Sequence, residues 1–373
     1  MDCGDALRRL PAPEPAAGLA AYERERELAL ARSPACRANY ERYLAGRRRA
    51  AAVDYQPIKL DIENTSRCNF RCTMCVVSSW TKGKRADDLP LEAFKRLIDE
   101  QEGLLEIKLQ GIGEPTLQRD DYFAMIRYAR RKHIWVRTTT NGSLLHLNDN
   151  ARKLIDSDVN ELQISIDGAS REVYEAIRRG GVYDRVMKNV RAVNDCQRRA
   201  GVERTKMWTV VQKGNIHELE ALVDLAADLG FTNQVFSLEL SDWGIAEWHD
   251  RNARAAVEAE LEIGRLAALV ERGERLGVRV RFWNVTQKYS FESPETLCPW
   301  PFERAYVASD LRVVPCCFIG NPDVAEIGAG LPDGTGFGGV WAGDEFRAFR
   351  QAHLDGAPPD YCRNCYRREA APR

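Results

Sequence analysis

The chain has 373 residues, 44% hydrophobic and 29% charged, with a formal net charge of -1 at pH 7. That length holds one large α/β domain and a small second one, and the balanced charge argues against a nucleic-acid partner held by bulk electrostatics. No apolar run reaches membrane-spanning length, and the start "MDCGDALRRLPAPEPAAG" lacks a signal-peptide core, so a soluble, cytoplasmic protein without a membrane partner is expected.

Residues 1–18, rich in Pro and Ala, are expected to be disordered. Residues 19–56 form a charged helical extension, broken near Pro34, that reads as a packing arm or lid. From 57 to 284 strand text alternates with helix text. The strand candidates are 58–63, 106–110, 135–140, 162–167, 206–212 and 234–240. Between them, "LPLEAFKRLIDEQEG" sets Leu91, Phe94 and Leu97 on one face, with Pro90 at the first turn. In "NIHELEALVDLAADLG" an apolar stripe runs from Ile216 to Leu229 and Gly230 ends it. Six β-then-α units imply parallel strands with helices outside, too few for a closed eight-stranded barrel. The expected fold is therefore an open partial (β/α)6 barrel with its site at the C-terminal strand ends. A long helix over 253–276 and a last strand "VRVRFWN" follow. In residues 285–373 Pro, Gly and Cys rise and only "DEFRAFRQAHL" reads as helix, as in a small domain held by metal.

Eleven cysteines are clustered rather than scattered. Disulfides are uncommon in a reducing compartment, so the clusters point to metal. Cys68, Cys72 and Cys75 lie in "SRCNFRCTMCVVSSW", a C-x3-C-x2-C spacing directly after the first strand. A cubane has four irons, each needing an outside ligand; three thiolates leave one iron open to a small molecule. Structural zinc needs four closed ligands, and no nearby His or Cys supplies the fourth.

This loop resembles that of the radical S-adenosylmethionine (SAM) enzymes, and further motifs over 57–240 carry the resemblance. In "QGIGEPTL", Gly113, Glu114 and Pro115 match the segment that meets the SAM amino group. "TTTNGSLL" sets Thr140 and Asn141 near the cofactor, and "ISIDGAS" sets Ser165 and Asp167 towards its carboxylate and ribose. Arg178 in "EAIRRGG" matches a carboxylate-holding basic residue, and Met74 stands where an aromatic is frequent. The resemblance implies a [4Fe-4S] cluster on three cysteines, bound SAM, a 5′-deoxyadenosyl radical, and a flavodoxin- or ferredoxin-type reductant.

A second set comprises Cys298, Cys316, Cys317, Cys362 and Cys365. Four thiolates would saturate a second [4Fe-4S] cluster, whereas a zinc ribbon needs two close pairs. The intervals resemble the twitch domain, the one-cluster relative of SPASM, of aminocyclitol dehydrogenases in aminoglycoside-antibiotic biosynthesis. The resemblance implies Cys298, Cys316, Cys362 and Cys365 as ligands and Cys317 as spare; Cys3, Cys36 and Cys196 read as incidental. It further implies oxidation of a secondary alcohol of a sugar or aminocyclitol, with the auxiliary cluster as electron acceptor. An epimerase, with Cys317 as hydrogen donor, and a peptide-modifying enzyme are the alternatives. Substrate-holding candidates are Lys213 and, in "LELSDWGIAEWHD", Glu239, Asp242, Trp243, Trp248 and His249.

Overall fold

The structure, a computed structural model, describes residues 10–257, 261–286, 288–328 and 336–367. Its strands are β1 (Lys59–Ile62), β2 (Glu106–Leu109), β3 (Trp135–Thr140), β4 (Glu161–Ser165), β5 (Thr205–Val210), β6 (Asn233–Ser237), β7 (Arg279–Trp283), β8 (Arg304–Val307) and β9 (Val313–Val314). They form one sheet in the order β7-β6-β5-β4-β3-β2-β1-β8-β9, parallel throughout except for the antiparallel β8–β9 pair. The ends do not meet, so the barrel is open. Helices cover one face, where Leu60, Ile62, Ile107, Leu109, Ile164, Met207 and Phe282 enter a core with Phe94, Ile126, Val190 and Leu222. The opposite, inner face carries the polar alternates of the same strands.

The six-strand count falls short by two parallel strands. The seventh is the "VRVRFWN" strand. The eighth comes from the cysteine-rich C-terminal region: β8 pairs with β1 in register, Leu60 against Ala305 and Ile62 against Val307. Without it β1 would present an open edge. Phe302, Phe337, Trp341 and Phe346 of this region are buried, so it shares the hydrophobic interior, and position 284 is no break in the sheet.

Two local expectations also change. Helix text over 253–276 divides into Ala246–Ala255 and Ile263–Arg275. The Lys213 amide donates to the carbonyl of Ala255 at 2.9 Å, taking the acceptor that a continuing helix would use. Of the segment expected to be disordered, 1–9 lies outside the described residues and 10–18 is packed. The Phe282 amide donates to Pro11 at 2.8 Å, Arg279 donates to the Ala16 carbonyl at 2.9 Å, and Ala16 is fully buried. Pro and Ala suit this extended strap because its backbone, not its side chains, makes the contacts.

The N-terminal helices Leu19–Ala31 and Pro34–Gly46 pack beneath the N-terminal strand ends. Tyr22 donates to Glu106 at 2.9 Å and Tyr43 to Glu303 at 2.7 Å. No described helix is long and apolar enough to cross a membrane.

Candidate active site

After β1 the chain crosses the C-terminal strand ends with Cys68, Cys72 and Cys75. Three anchors hold this loop. The Glu114 amide donates to Arg67 at 2.7 Å, and at Gly113 a Cβ would stand 2.4 Å from the carbonyl oxygens of Thr65 and Arg67, so only glycine allows the approach. The amides of Arg71 and Thr73 donate to Arg179 and Ile177 at 2.8 and 3.0 Å, setting Cys72 beside Arg178. Asn69 donates to Ser143 at 2.8 Å and accepts from Asn141 at 3.0 Å. Neither Asn69 nor Ser143 carries a signal in the sequence, because their partners lie 72 and 74 residues away.

The motif residues lie at these strand ends. Glu114 is buried and accepts from the Asn141 amide at 2.7 Å, Thr140 at 2.6 Å, the Thr116 hydroxyl at 2.5 Å and the Thr116 amide at 3.3 Å. Burial raises its carboxyl against these hydrogen bonds. Pro115 opens the short turn that follows. Ser165 ends β4 on the inner face. Two residues on, fully buried Asp167 accepts from Arg178 at 2.6 Å and from the Val210 amide at 2.8 Å. Burial opposes the charge on Arg178, but Asp167 and Cys72 outweigh it and keep the guanidinium protonated. Met74 is half-buried, its carbonyl accepting from Asn252 at 3.4 Å.

The thiols are free of disulfides. Burial, with Cys72 close by, pushes Cys75 up to about 12, and burial raises Cys68 and Cys72 as well. Three buried polar atoms near these strand ends have no hydrogen-bond partner: Tyr174 Oη, Gln110 Oε1 and Gln212 Nε2. Protonated, crowded thiols and orphaned polar atoms are costly unless a polar group occupies the space, which fits a cluster carrying a polar organic ligand. Among the described residues no three His, Cys, Asp or Glu side chains close on a single-ion position; a cubane spreads its thiolates over separate irons.

The second set gathers from distant segments. Cys298 lies within electrostatic reach of Cys316 and Cys365, and Cys362 within reach of Cys298, Cys316 and Cys365. Cys362 and Cys365 share the turn Asp360–Cys365, and Tyr366, stacked on Phe291 at 4.2 Å, accepts from the Cys298 amide at 3.0 Å. Cys317 lies within electrostatic reach of Asp61, Lys108 and Arg304 of the inner face as well as of Cys316, and Cys365 also feels its charge. Cys36 lies in an N-terminal helix and Cys196 on an outer helix, both away from either set; Cys3 lies outside the described residues.

The segment after β6 joins the two sets. Asn252 donates to the carbonyls of Ser241 at 2.6 Å and Met74 at 3.4 Å, and Ser241 donates to Phe318 at 3.1 Å. Trp248 is buried with Val76, Val77 and Ile112 against Cys68 and Cys75. Trp243 takes a left-handed φ of 58°, unfavourable for a bulky residue. Two of the substrate-holding candidates here make contacts within the fold. Glu239 accepts from the amides of Val285 and Thr286 at 2.6 and 2.7 Å, anchoring the chain after β7. Asp242 accepts from the Gly244 amide at 2.9 Å and meets His249 at 3.2 Å, on an exposed imidazole. Lys213 is exposed.

Residues 62–226 match the Radical SAM superfamily and residues 298–366 the SPASM iron–sulfur cluster-binding domain. The mycofactocin maturase MftC of Mycolicibacterium smegmatis is 31% identical over 315 residues, 83% of this chain and 75% of that protein. Matches to mycobacterial counterparts span little more than half of theirs, 54% for Mycobacterium tuberculosis. A GTP 3′,8-cyclase of Ectopseudomonas mendocina is 31% identical over 61% of this chain and 67% of its own length. Among solved structures, Streptococcus suis SuiB bound to its precursor peptide SuiA superposes with a TM-score of 0.62 at 15% identity, over 83% of this chain and 70% of SuiB. The C-terminal match is to the SPASM iron–sulfur domain, and one expectation is corrected: the curated relatives named here are maturases and a cyclase, not aminocyclitol dehydrogenases.

Proposed function

This chain belongs to the radical SAM superfamily and carries a SPASM-type iron–sulfur domain, and from that premise we propose that it oxidatively modifies a peptide. The observation that carries the reading is the match to a maturase over 83% of this chain and 75% of the relative. SuiB, of the same fold, was solved with a precursor peptide. The sugar or aminocyclitol substrate gives way to this reading.

Cys68, Cys72 and Cys75 would hold the SAM-binding [4Fe-4S] cluster, and Cys298, Cys316, Cys362 and Cys365 an auxiliary one. Bound, these groups supply a 5′-deoxyadenosyl radical and an electron acceptor. The protein's part is positioning. Glu114 is fixed by donors from Thr116 and Thr140 on Oε1 and from Asn141 on Oε2, and the one lone pair left on Oε2 would face the SAM ammonium. Arg178, oriented by Asp167, has five N–H donors and spends one on that carboxylate, leaving others for the SAM carboxylate. Asp167 and Ser165 line the ribose side, and Met74 the adenine side. A flavodoxin- or ferredoxin-type protein would supply electrons.

The test is anaerobic incubation of the reconstituted protein with SAM, dithionite and the short peptide encoded nearest its gene. Peptide-dependent 5′-deoxyadenosine and a peptide mass lower by two hydrogens, or by a larger oxidative loss, are expected. Turnover with aminocyclitols and none with peptide would overturn the reading.

A further inference from the structure

The inner face of the sheet carries seven cations, and they divide sharply: Arg279 pairs with Glu203. Lys59 meets Glu303 at 3.2 Å, Arg137 meets Glu106 at 2.9 Å, Lys206 meets Glu161 at 2.7 Å and Arg304 meets Asp61 at 3.3 Å. Lys108 and Arg281 have no such partner among the described residues. Lys108 is in register between Asp61 and Arg137, both engaged elsewhere. Arg281 reaches only the carbonyl of Val280, at 3.3 Å. Both are half-buried, so each leaves a charge without a counter-charge on the inner face. Leaving a cation partly desolvated without a counter-charge is unfavourable unless a ligand completes it.

The surroundings say what kind of ligand. Ser165, Trp208, Val235 and Arg281 are in register across β4 to β7, so Trp208 and Arg281 share the inner face with the strand end nearest the SAM motifs. Trp283, two residues on, faces the same way. Its ring lies 5.9 Å from that of Trp208 and stacks on Phe318 at 5.6 Å with 8° between the planes. Phe318 belongs to the turn after Cys316, in which Cys317 lies within electrostatic reach of Lys108. This turn therefore meets the aromatic rings of β7 on one side and the charge of the unpaired lysine on the other.

We propose that Lys108 and Arg281 bind a carboxylate of the substrate while Trp208, Trp283 and Phe318 cover the apolar group that bears it. The inference deepens the peptide reading and rests on it, since a peptide offers such a carboxylate at its C-terminus or on an acidic side chain. A planar guanidinium and a lysine ammonium that both reached one anion would supply charge-assisted hydrogen bonds. The aromatic wall keeps the pair partly dry and so stronger.

The experiment uses reconstituted holoprotein with SAM and reads tryptophan fluorescence. The probes are 3-phenylpropanoate and its neutral amide, then N-acetylphenylalanine for a terminal carboxylate and N-acetylglutamate α-amide for a side-chain one. The acid is expected to bind about tenfold or more tightly than the amide, the scale of a charged hydrogen bond. Lys108→Met and Arg281→Met should each weaken the acid about tenfold and leave the amide unmoved, with Lys108→Arg restoring part of the loss. The cluster absorption band verifies that each variant is loaded and folded. Equal binding of acid and amide, or variants that weaken both alike, would overturn the assignment. The preferred N-acetyl probe identifies the source of the carboxylate, and indifference between the two with acid preference intact supports the site for either. Peptide-stimulated deoxyadenosine formation is scored separately. If it occurs but ignores Lys108→Met, the carboxylate site fails alone; if acid preference holds and no peptide stimulates, the peptide reading fails alone.

Discussion

The two thiol sets are built in opposite ways. Cys68, Cys72 and Cys75 sit on one loop, and their spacing is set by eight residues of chain. Cys298, Cys316, Cys362 and Cys365 come from three segments spread over 68 residues and meet only because β8 docks on β1 and the turn at 360–365 folds back on Tyr289. A local site tolerates movement of the fold around it, whereas a dispersed site is as good as the packing that assembles it. The first set nevertheless leans on the tertiary structure for its orientation, through Gly113 and the Ile177–Arg179 backbone.

The largest effect should come from removing the local set. The triple variant Cys68→Ala, Cys72→Ala, Cys75→Ala is expected to lose deoxyadenosine formation entirely and about half its iron, roughly four of eight atoms for two cubanes. Wild-type SAM cleavage by this variant would break the assignment.

Next comes the dispersed set. Cys316→Ala should also lose about half the iron, yet still form deoxyadenosine while oxidised product falls away. Cys317→Ala should keep full iron, because its thiol is coupled more strongly to Asp61 and Lys108 of the inner face than to Cys316. The reverse pattern would shift the ligand by one position.

The floor beneath both sets gives a smaller, pH-dependent effect. Burial alone would raise the Glu106 carboxyl, but Arg137, Lys59 and Arg304 outweigh it and hold it down to about 2. Its unfolded counterpart titrates near about 4.3. The folded value is the lower, so the stabilisation is full above that pH and is lost as pH falls towards 2, on the order of 3 kcal/mol. Chemical denaturation from pH 6 to 2 should show this slope, and Glu106→Gln should flatten it.

The smallest effect concerns how the local loop is held. Gly113→Ala places a Cβ against two carbonyl oxygens and should destabilise by about 2 kcal/mol, with weaker SAM binding by calorimetry. Gly264→Ala, on the helix Ile263–Arg275 with nothing within 4 Å of the added carbon, should be neutral or slightly stabilising. Equal losses in both would remove the claim that Gly113 is a contact glycine.

Much of this protein is written in short range. The C-x3-C-x2-C spacing, the β–α alternation, and the polar residues that end β2, β3 and β4 each depend on neighbours a few positions apart, so periodicity and motif suffice to place them at one end of a parallel sheet. The C-terminal cysteines were legible as a cluster from their positions in the chain. Other features were not, and they share one cause: each is decided by a partner far along the chain. Residues 10–18 looked too rich in Pro and Ala to pack, because nothing local reveals that β7 offers them its edge. Glu239 resembled a substrate ligand until Val285 and Thr286, 46 and 47 residues away, claimed its carboxylate. Lys108 and Arg281 read as ordinary strand cations, no different from Lys59 or Arg137. Only the assembled sheet, by pairing some of these charges with a carboxylate and spending the neighbouring carboxylates elsewhere for others, separates those that hold the barrel together from those left unpaired.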